Sequence, residues 1–134
     1  MQFYSRGQIA DLADVHIETL RFYERKGLLA PPQRSPGGYR RYSEKDLKRL
    51  RFILTAKRHG FTLQEIKDLL NLRVSSTSTC AQVQQKAREK ISVIEEKLHE
   101  LRRMKKALLA LAASCHGEGP ADDCPILEAF EQQQ

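Results

Sequence analysis

Three cysteines, Cys80, Cys115 and Cys124, carry the most distinctive chemistry in this chain of 134 residues. Thiolates are strong nucleophiles and ligands for soft metal ions. An odd number of cysteines in a chain that opens without an export signal argues against a disulfide framework, so free thiols or a metal site fit better. From Cys80 to Cys115 there is no Pro and no Gly. Apolar or small residues recur there in steps of three and four: Ala87, Ile91, Ile94, Leu98 and Leu101, then Leu108 and Ala112. This heptad seam predicts a coiled-coil helix. Lys105 interrupts it, and Met104, Leu108, Leu111 and Cys115 continue in a shifted register, which predicts a stutter near Met104. At about 1.5 Å per residue, an unbroken helix holds Cys80 and Cys115 roughly 50 Å apart. One chain therefore cannot bring them together. Cys115 and Cys124, by contrast, are separated only by a Gly-Pro loop. Antiparallel pairing of two copies sets the Cys80 end of one beside the Cys115 end of the other. The expectation is a homodimer with three thiols at each end.

Local sequence bears on the state of each thiol. Thr79 precedes the long helix with Gln82 three positions on, so Cys80 takes its first position. Cys124 precedes Pro125, a residue favoured in a first helical turn, and should cap a short final helix through Phe130. Helix N-termini lower thiol pKa values, whereas Cys115 at a helix C-terminus is expected to ionise only on metal binding. A single cysteine is more often a small buried hydrophobe; it is the convergence of three that argues for a metal. His116 adjoins Cys115 but points about 100° away on a helix, so a non-ligand role is expected. His16, His59 and His99 are isolated and read as surface residues. Zinc usually takes four ligands, which three thiols with His116 as a doubtful fourth suit less well.

The positive charge that makes up the net +6 lies in one half. Met1 to Arg73 holds fifteen Lys and Arg against eight Asp and Glu, and Val74 to Gln134 holds eight against nine. A basic half points to an anionic partner, most often nucleic acid. No apolar run reaches transmembrane length, so a soluble cytoplasmic protein without membrane contact is expected. An enzyme using the thiols is the competing class. The chain has no Cys-x-x-Cys pair, and His116 is the sole base near a thiol in sequence. That reading also leaves the basic half unused.

The elements that must position these groups follow in order. Ser5 with Gln8 forms a capping box for a short first helix with a stripe of Ile9, Leu12 and Ala13. Asp14-Val15-His16 is a tight connection, and a second helix from Ile17 to Lys26 is stopped by Gly27. Two short helices around a tight turn fit a helix-turn-helix. Pro31-Pro32 and Pro36-Gly37-Gly38 bar a helix from Leu28 to Tyr42 and suggest a hairpin, or wing. Its second arm, Gly38-Tyr39-Arg40-Arg41-Tyr42, interleaves aromatic and basic residues, the former to pack on sugars or scaffold and the latter to bind phosphate. Ser43 caps a basic helix with a stripe of Leu47, Leu50 and Leu54. Thr62 with Glu65, stapled by Phe61 on Ile66, starts the next. DNA contacts are expected from Arg21, Tyr23, Tyr39 and Arg40, with Ile17, Glu18 and Thr19 facing base edges.

Thr19-Leu20-Arg21-Phe22-Tyr23-Glu24-x-x-Gly27-Leu28, Gly38-Tyr39-Arg40-x-Tyr42 and Gly60-Phe61-Thr62-Leu63-x-Glu65-Ile66 together resemble the MerR family of bacterial transcription regulators. Cys80, Cys115-His116 and Cys124-Pro125-Ile126-Leu127 are similar in spacing to its mercury-responsive branch. The resemblance implies a mainly α protein: a winged helix-turn-helix domain over 1–73, a linker over 74–79, an antiparallel coiled-coil dimerisation helix over 80–114, and a metal-binding loop and short helix over 115–134. It also implies Hg(II) held by Cys80 of one subunit and Cys115 and Cys124 of the other, promoter DNA as partner, and action through RNA polymerase. Lead and cadmium sensors with a similar cysteine layout keep Pb(II) and Cd(II) open beside Zn(II).

Overall fold

The structure, a computed structural model, describes residues 2–34, 36–38 and 40–132. It divides into two compact units, Met1–Lys86 and Ala87–Gln134.

The first unit is built from helices whose starts are locally encoded. Helix α1 (Arg6–Ala13) begins at a reciprocal cap: Gln8 N donates to Ser5 Oγ at 3.1 Å and Ser5 N donates to Gln8 Oε1 at 2.8 Å. Asp14 ends it in the left-handed region at φ 56°, where a short polar residue is better tolerated than a branched one. Helix α2 (Ile17–Arg25) follows, and Gly27 at φ 76° turns the chain so that Leu28 and Leu29 drop into the core. Strands β1 (Phe3–Tyr4), β2 (Gln33–Arg34) and β3 (Arg40–Ser43) form an antiparallel sheet in the order β1-β3-β2. The hairpin of β2 and β3 is the wing. Strand β1, pairing Phe3 with Ser43 and Tyr4 with Tyr42, is too short to have left a pattern in the sequence.

Helices α3 (Glu44–Arg58) and α4 (Leu63–Val74) open on capping boxes at Ser43/Asp46 and Thr62/Glu65. Each box satisfies two backbone N–H groups that a helix start leaves unpaired. Ile9, Leu20, Leu28, Leu50, Ile53 and Ile66 have no exposed surface and form the centre of the core. Two stripes differ from expectation. In α1 the buried residue beside Ile9 is Ala10, and Leu12 is 48 % exposed. At about 100° per residue the face shared by Ile9, Ala10 and Ala13 is centred more than a right angle from Leu12. In α3 Ile53 is fully buried beside Leu47 and Leu50, while Leu54 packs only at the core's edge.

Helix α5 runs unbroken from Cys80 to Ser114, through Met104 and Lys105. Beyond it come a loop with Gly117 and Gly119 at positive φ, a 3-10 turn at Ala121–Asp123 and helix α6 (Pro125–Gln132). In the single chain the α5 seam lies open: Ile91, Ile94, Leu98, Leu101 and Leu108 are each 41–56 % exposed. A helix seldom keeps such a stripe in water, because burying each large side chain is worth about 1.5–3 kcal/mol. The fold class agrees with the reading of the sequence, and strand β1 and the 3-10 turn are additions to it.

Candidate nucleic-acid interface and thiol centre

Helix α2 presents a mixed face to solvent. Ile17 is 40 % exposed, Glu18 and Arg21 are exposed, and Thr19 is half-buried. Arg21 Nη1 donates to Glu18 Oε1 at 2.7 Å, with side chains 49 % and 71 % exposed, respectively. An ion pair this wet adds little to stability, so Arg21 can exchange Glu18 for a phosphate at small cost. Tyr23 is placed differently. It sits in the core, 6 % exposed, with its ring against Phe22, and burial pushes its phenol pKa up. Tyr39 lies outside the described residues, and Arg40 is described through its backbone in β3.

The last wing aromatic, Tyr42, belongs to the scaffold. It is 1 % exposed, accepts from Arg6 Nε at 3.1 Å and donates to Glu24. Successive residues of a strand face opposite sides, so Arg41 points away from Tyr42 and stacks 4.4 Å over the Phe3 ring. Sequence reasoning gave no structural role to Arg6 or Glu24, whose partners are far away in the chain, and it grouped Arg41 with Arg40 as a phosphate binder; the period-two alternation of β3 was the one signal that separates the two arginines. On α3, Lys45, Lys48, Arg51, Lys57 and Arg58 stay exposed, whereas Arg49 turns in and donates from Nε to Leu28 O at 2.6 Å. The basic excess of the first half is thus mostly surface charge.

All three cysteines are free. Cys80 is exposed at the head of α5, behind the expected cap in which Thr79 N donates to Gln82 Oε1 at 2.7 Å. Cys115 and Cys124 are half-buried, and their side chains lie close enough to act on one another. The N–H groups of Leu127 and then Ile126 point at the Cys124 sulfur at the start of α6 and draw its pKa below the ordinary thiol value, against a smaller effect of burial. The neighbouring Cys115 side chain lowers it further, and the Glu128 carboxylate opposes. Gly117 N in turn donates to Cys115 Sγ at 3.4 Å. His116 is exposed. Among the described residues no three His, Cys, Asp or Glu side chains of the single chain converge as a metal set.

A winged helix-turn-helix with a basic surface, joined to a long helix that ends at a pair of thiols, defines a DNA-binding regulator carrying its own sensing element. The chain matches the family described as MerR HTH family regulatory protein over residues 4–72, and that described as MerR, DNA binding, over residues 47–111. It is 38 % identical over 125 residues to the mercuric resistance operon regulatory protein of Pseudomonas fluorescens, covering 93 % of this chain and 85 % of that one. Among solved structures it resembles the lead(II) complex of the transcription regulator PbrR691 from Ralstonia metallidurans CH34, with TM-score 0.81, 36 % identity, and 95 % and 98 % of the two chains covered. It also resembles the mercury(II) complex of MerR from Bacillus megaterium MB1, with TM-score 0.73, 32 % identity, and 96 % and 100 % covered.

The chain belongs to the MerR family. It is a metal-responsive transcription regulator and not an enzyme. No helix among the described residues is long and apolar enough to cross a membrane.

Contacts to phosphate should reveal themselves through salt. Arg40→Ala is expected to weaken binding to all DNA sequences alike and to reduce the slope of log affinity against log salt by about one unit. Fluorescence anisotropy at several salt concentrations measures it. A changed sequence preference at unchanged slope would assign Arg40 to base reading instead.

Proposed function

We propose that the protein is a mercury(II)-responsive regulator that represses its promoter without metal and activates it when Hg(II) binds three thiolates shared across a homodimer. The observation that carries this reading is the Cys115–Cys124 pair, with Cys124 poised toward thiolate by the N–H groups at the head of α6. Two soft donors at one end of α5, a third at the other, and an open apolar seam between them support antiparallel pairing of two chains. Residues 80–114 would then be the dimerisation element, 115–134 the metal-binding element, 1–73 the DNA-binding domain, and 74–79 a linker between them. Bound Hg(II) would supply strong bonds to soft sulfur. Within the chain, the loop from Cys115 to Cys124 sets the spacing of two thiols, and Leu127 and Ile126 stabilise negative charge on one of them. Ile17, Glu18, Thr19, Arg21, Tyr23, Tyr39 and Arg40 are assigned to DNA. For Tyr23 this leaves only what a core residue can show at its edge. RNA polymerase at the promoter is the further partner, in the cytoplasm.

A lead(II) sensor is the second reading, favoured by the higher structural similarity to the lead-bound regulator. Competition of Hg(II), Pb(II), Cd(II) and Zn(II) for the purified protein, read from the thiolate-to-metal absorption bands, separates the two. Displacement of every other ion by Hg(II) is expected. Retention of Pb(II) against Hg(II) would reverse the order of the readings.

A further inference from the structure

We propose that Tyr42, Glu24 and Arg6 form a positioning triad that locks the wing to helix α2, so that the two meet DNA as one preorganised surface. The inference rests on the reading that α2 and the wing both contact DNA. The three residues come from separate elements: Arg6 opens α1, Glu24 lies in the last turn of α2, and Tyr42 sits in β3. The Tyr42 hydroxyl donates to Glu24. Arg6 donates from Nε to Tyr42 at 3.1 Å and from Nη2 to Glu24 Oε2 at 3.2 Å. The side chains of Arg6 and Glu24 are 14 % exposed, and Tyr42 is 1 % exposed.

Packing alone does not call for this set. Phenylalanine would fill the site of Tyr42, and apolar residues at all three positions would avoid desolvating two charges. A buried ion pair is weak evidence for stability, because desolvation offsets most of its attraction. Its value is directional. Each hydrogen bond here fixes an angle between two elements that share no backbone pairing, and a fully satisfied network tolerates little rotation. The protonation states suit the roles. Burial, then the Glu24 carboxylate, push the Tyr42 phenol up, so it stays a donor. For Arg6 burial opposes the charge, but Tyr42 and Glu24 outweigh it and raise the pKa.

The wing needs such an anchor. Its paired strands are two and four residues long, and a hairpin of that size has little stability of its own. Tyr42 is the point at which β3 enters the core. The exit of α2 is held a second time by Arg49, through Leu28 O at 2.6 Å. Both DNA-facing elements are thus referred to one rigid base. A wing free to swing would have to be ordered at each binding event. If that cost matches the ordering of about one backbone residue, affinity falls roughly tenfold.

The test compares full-length wild type, Tyr42→Phe and Glu24→Gln for operator affinity across salt concentrations, well below the unfolding temperature of each. For Tyr42→Phe the expected result is an affinity about tenfold lower at an unchanged salt slope, because the same phosphates are still contacted once the wing docks. Hydroxyl-radical protection should weaken first at the flanks reached by the wing. Glu24→Gln keeps an acceptor for Tyr42 but removes the charge facing Arg6, so a smaller loss at the same slope is expected. Glu24→Gln decides alone if Tyr42→Phe does not fold. Wild-type affinity in the folded variants would overturn the triad while leaving DNA binding intact. A slope lower by about one unit would overturn it too, making the altered residue a phosphate contact. Wild-type protein that bound no DNA in a salt-dependent way would remove the reading beneath the proposal, and the proposal with it.

Discussion

Homodimers of Cys80→Ala chains, and of Cys115→Ala/Cys124→Ala chains, are expected to lose tight Hg(II) binding, and a heterodimer of the two is expected to recover one tight equivalent. Cys80 opens helix α5 and Cys115 follows its last residue. A helix of that length separates its ends by roughly 50 Å, so a three-thiol site needs a second chain. In the heterodimer, Cys80 of the double mutant faces Cys115 and Cys124 of the single mutant, and the opposite end has no thiol. The titration is run against a competing thiol. Two sulfurs already hold Hg(II) well, and competition exposes the gain from the third. Tight binding in the Cys80→Ala parent would make Cys115 and Cys124 a complete site within one chain. No tight binding in the heterodimer would end the cross-subunit arrangement and the antiparallel pairing with it.

The second large effect is on transcription. Adding Hg(II) to the protein on its promoter is expected to raise open-complex formation at least about tenfold while operator affinity changes less than about threefold. Bending or untwisting DNA costs on the order of 1–6 kcal/mol, and about 1.4 kcal/mol is worth a factor of ten, so a distortion in this range is large enough to control promoter opening. In the proposed dimer the unbroken α5 helix would give such a change a mechanical route, because a continuous helix carries a displacement at one end along its length. Run-off transcription and footprinting on the same samples measure both quantities. Release of the operator on adding metal, with transcription rising as the site empties, would replace distortion by simple derepression.

Much of the molecule was legible before folding because its signals are short-range. The caps at Ser5, Ser43, Thr62 and Thr79 involve residues three apart, so the side chains that start four helices stand next to the backbone they serve. The stop at Gly27 and the thirty-five-residue span of α5 are equally local. The separation of Cys80 from Cys115 needs only helical rise. What the sequence left open depends on contacts across tens of residues. Tyr42 and Tyr39 look alike in the wing motif, and only the meeting of β3 with α1 and α2 makes Tyr42 a buried partner of Glu24 and Arg6. Tyr23 lies in a helix whose Ile17, Glu18, Arg21 and Phe22 are exposed, yet the turn at Gly27 folds Leu28 and Leu29 back into the core it shares. Ala10 displaces Leu12 from the core because a two-turn helix shows its neighbours a narrow face, and the position of those neighbours selects it. Composition and spacing therefore determined the elements and the thiol count, and the tertiary structure decided which polar side chains are scaffold and which are left for ligands. Burial is a property of the whole packing arrangement, and no window of sequence contains it.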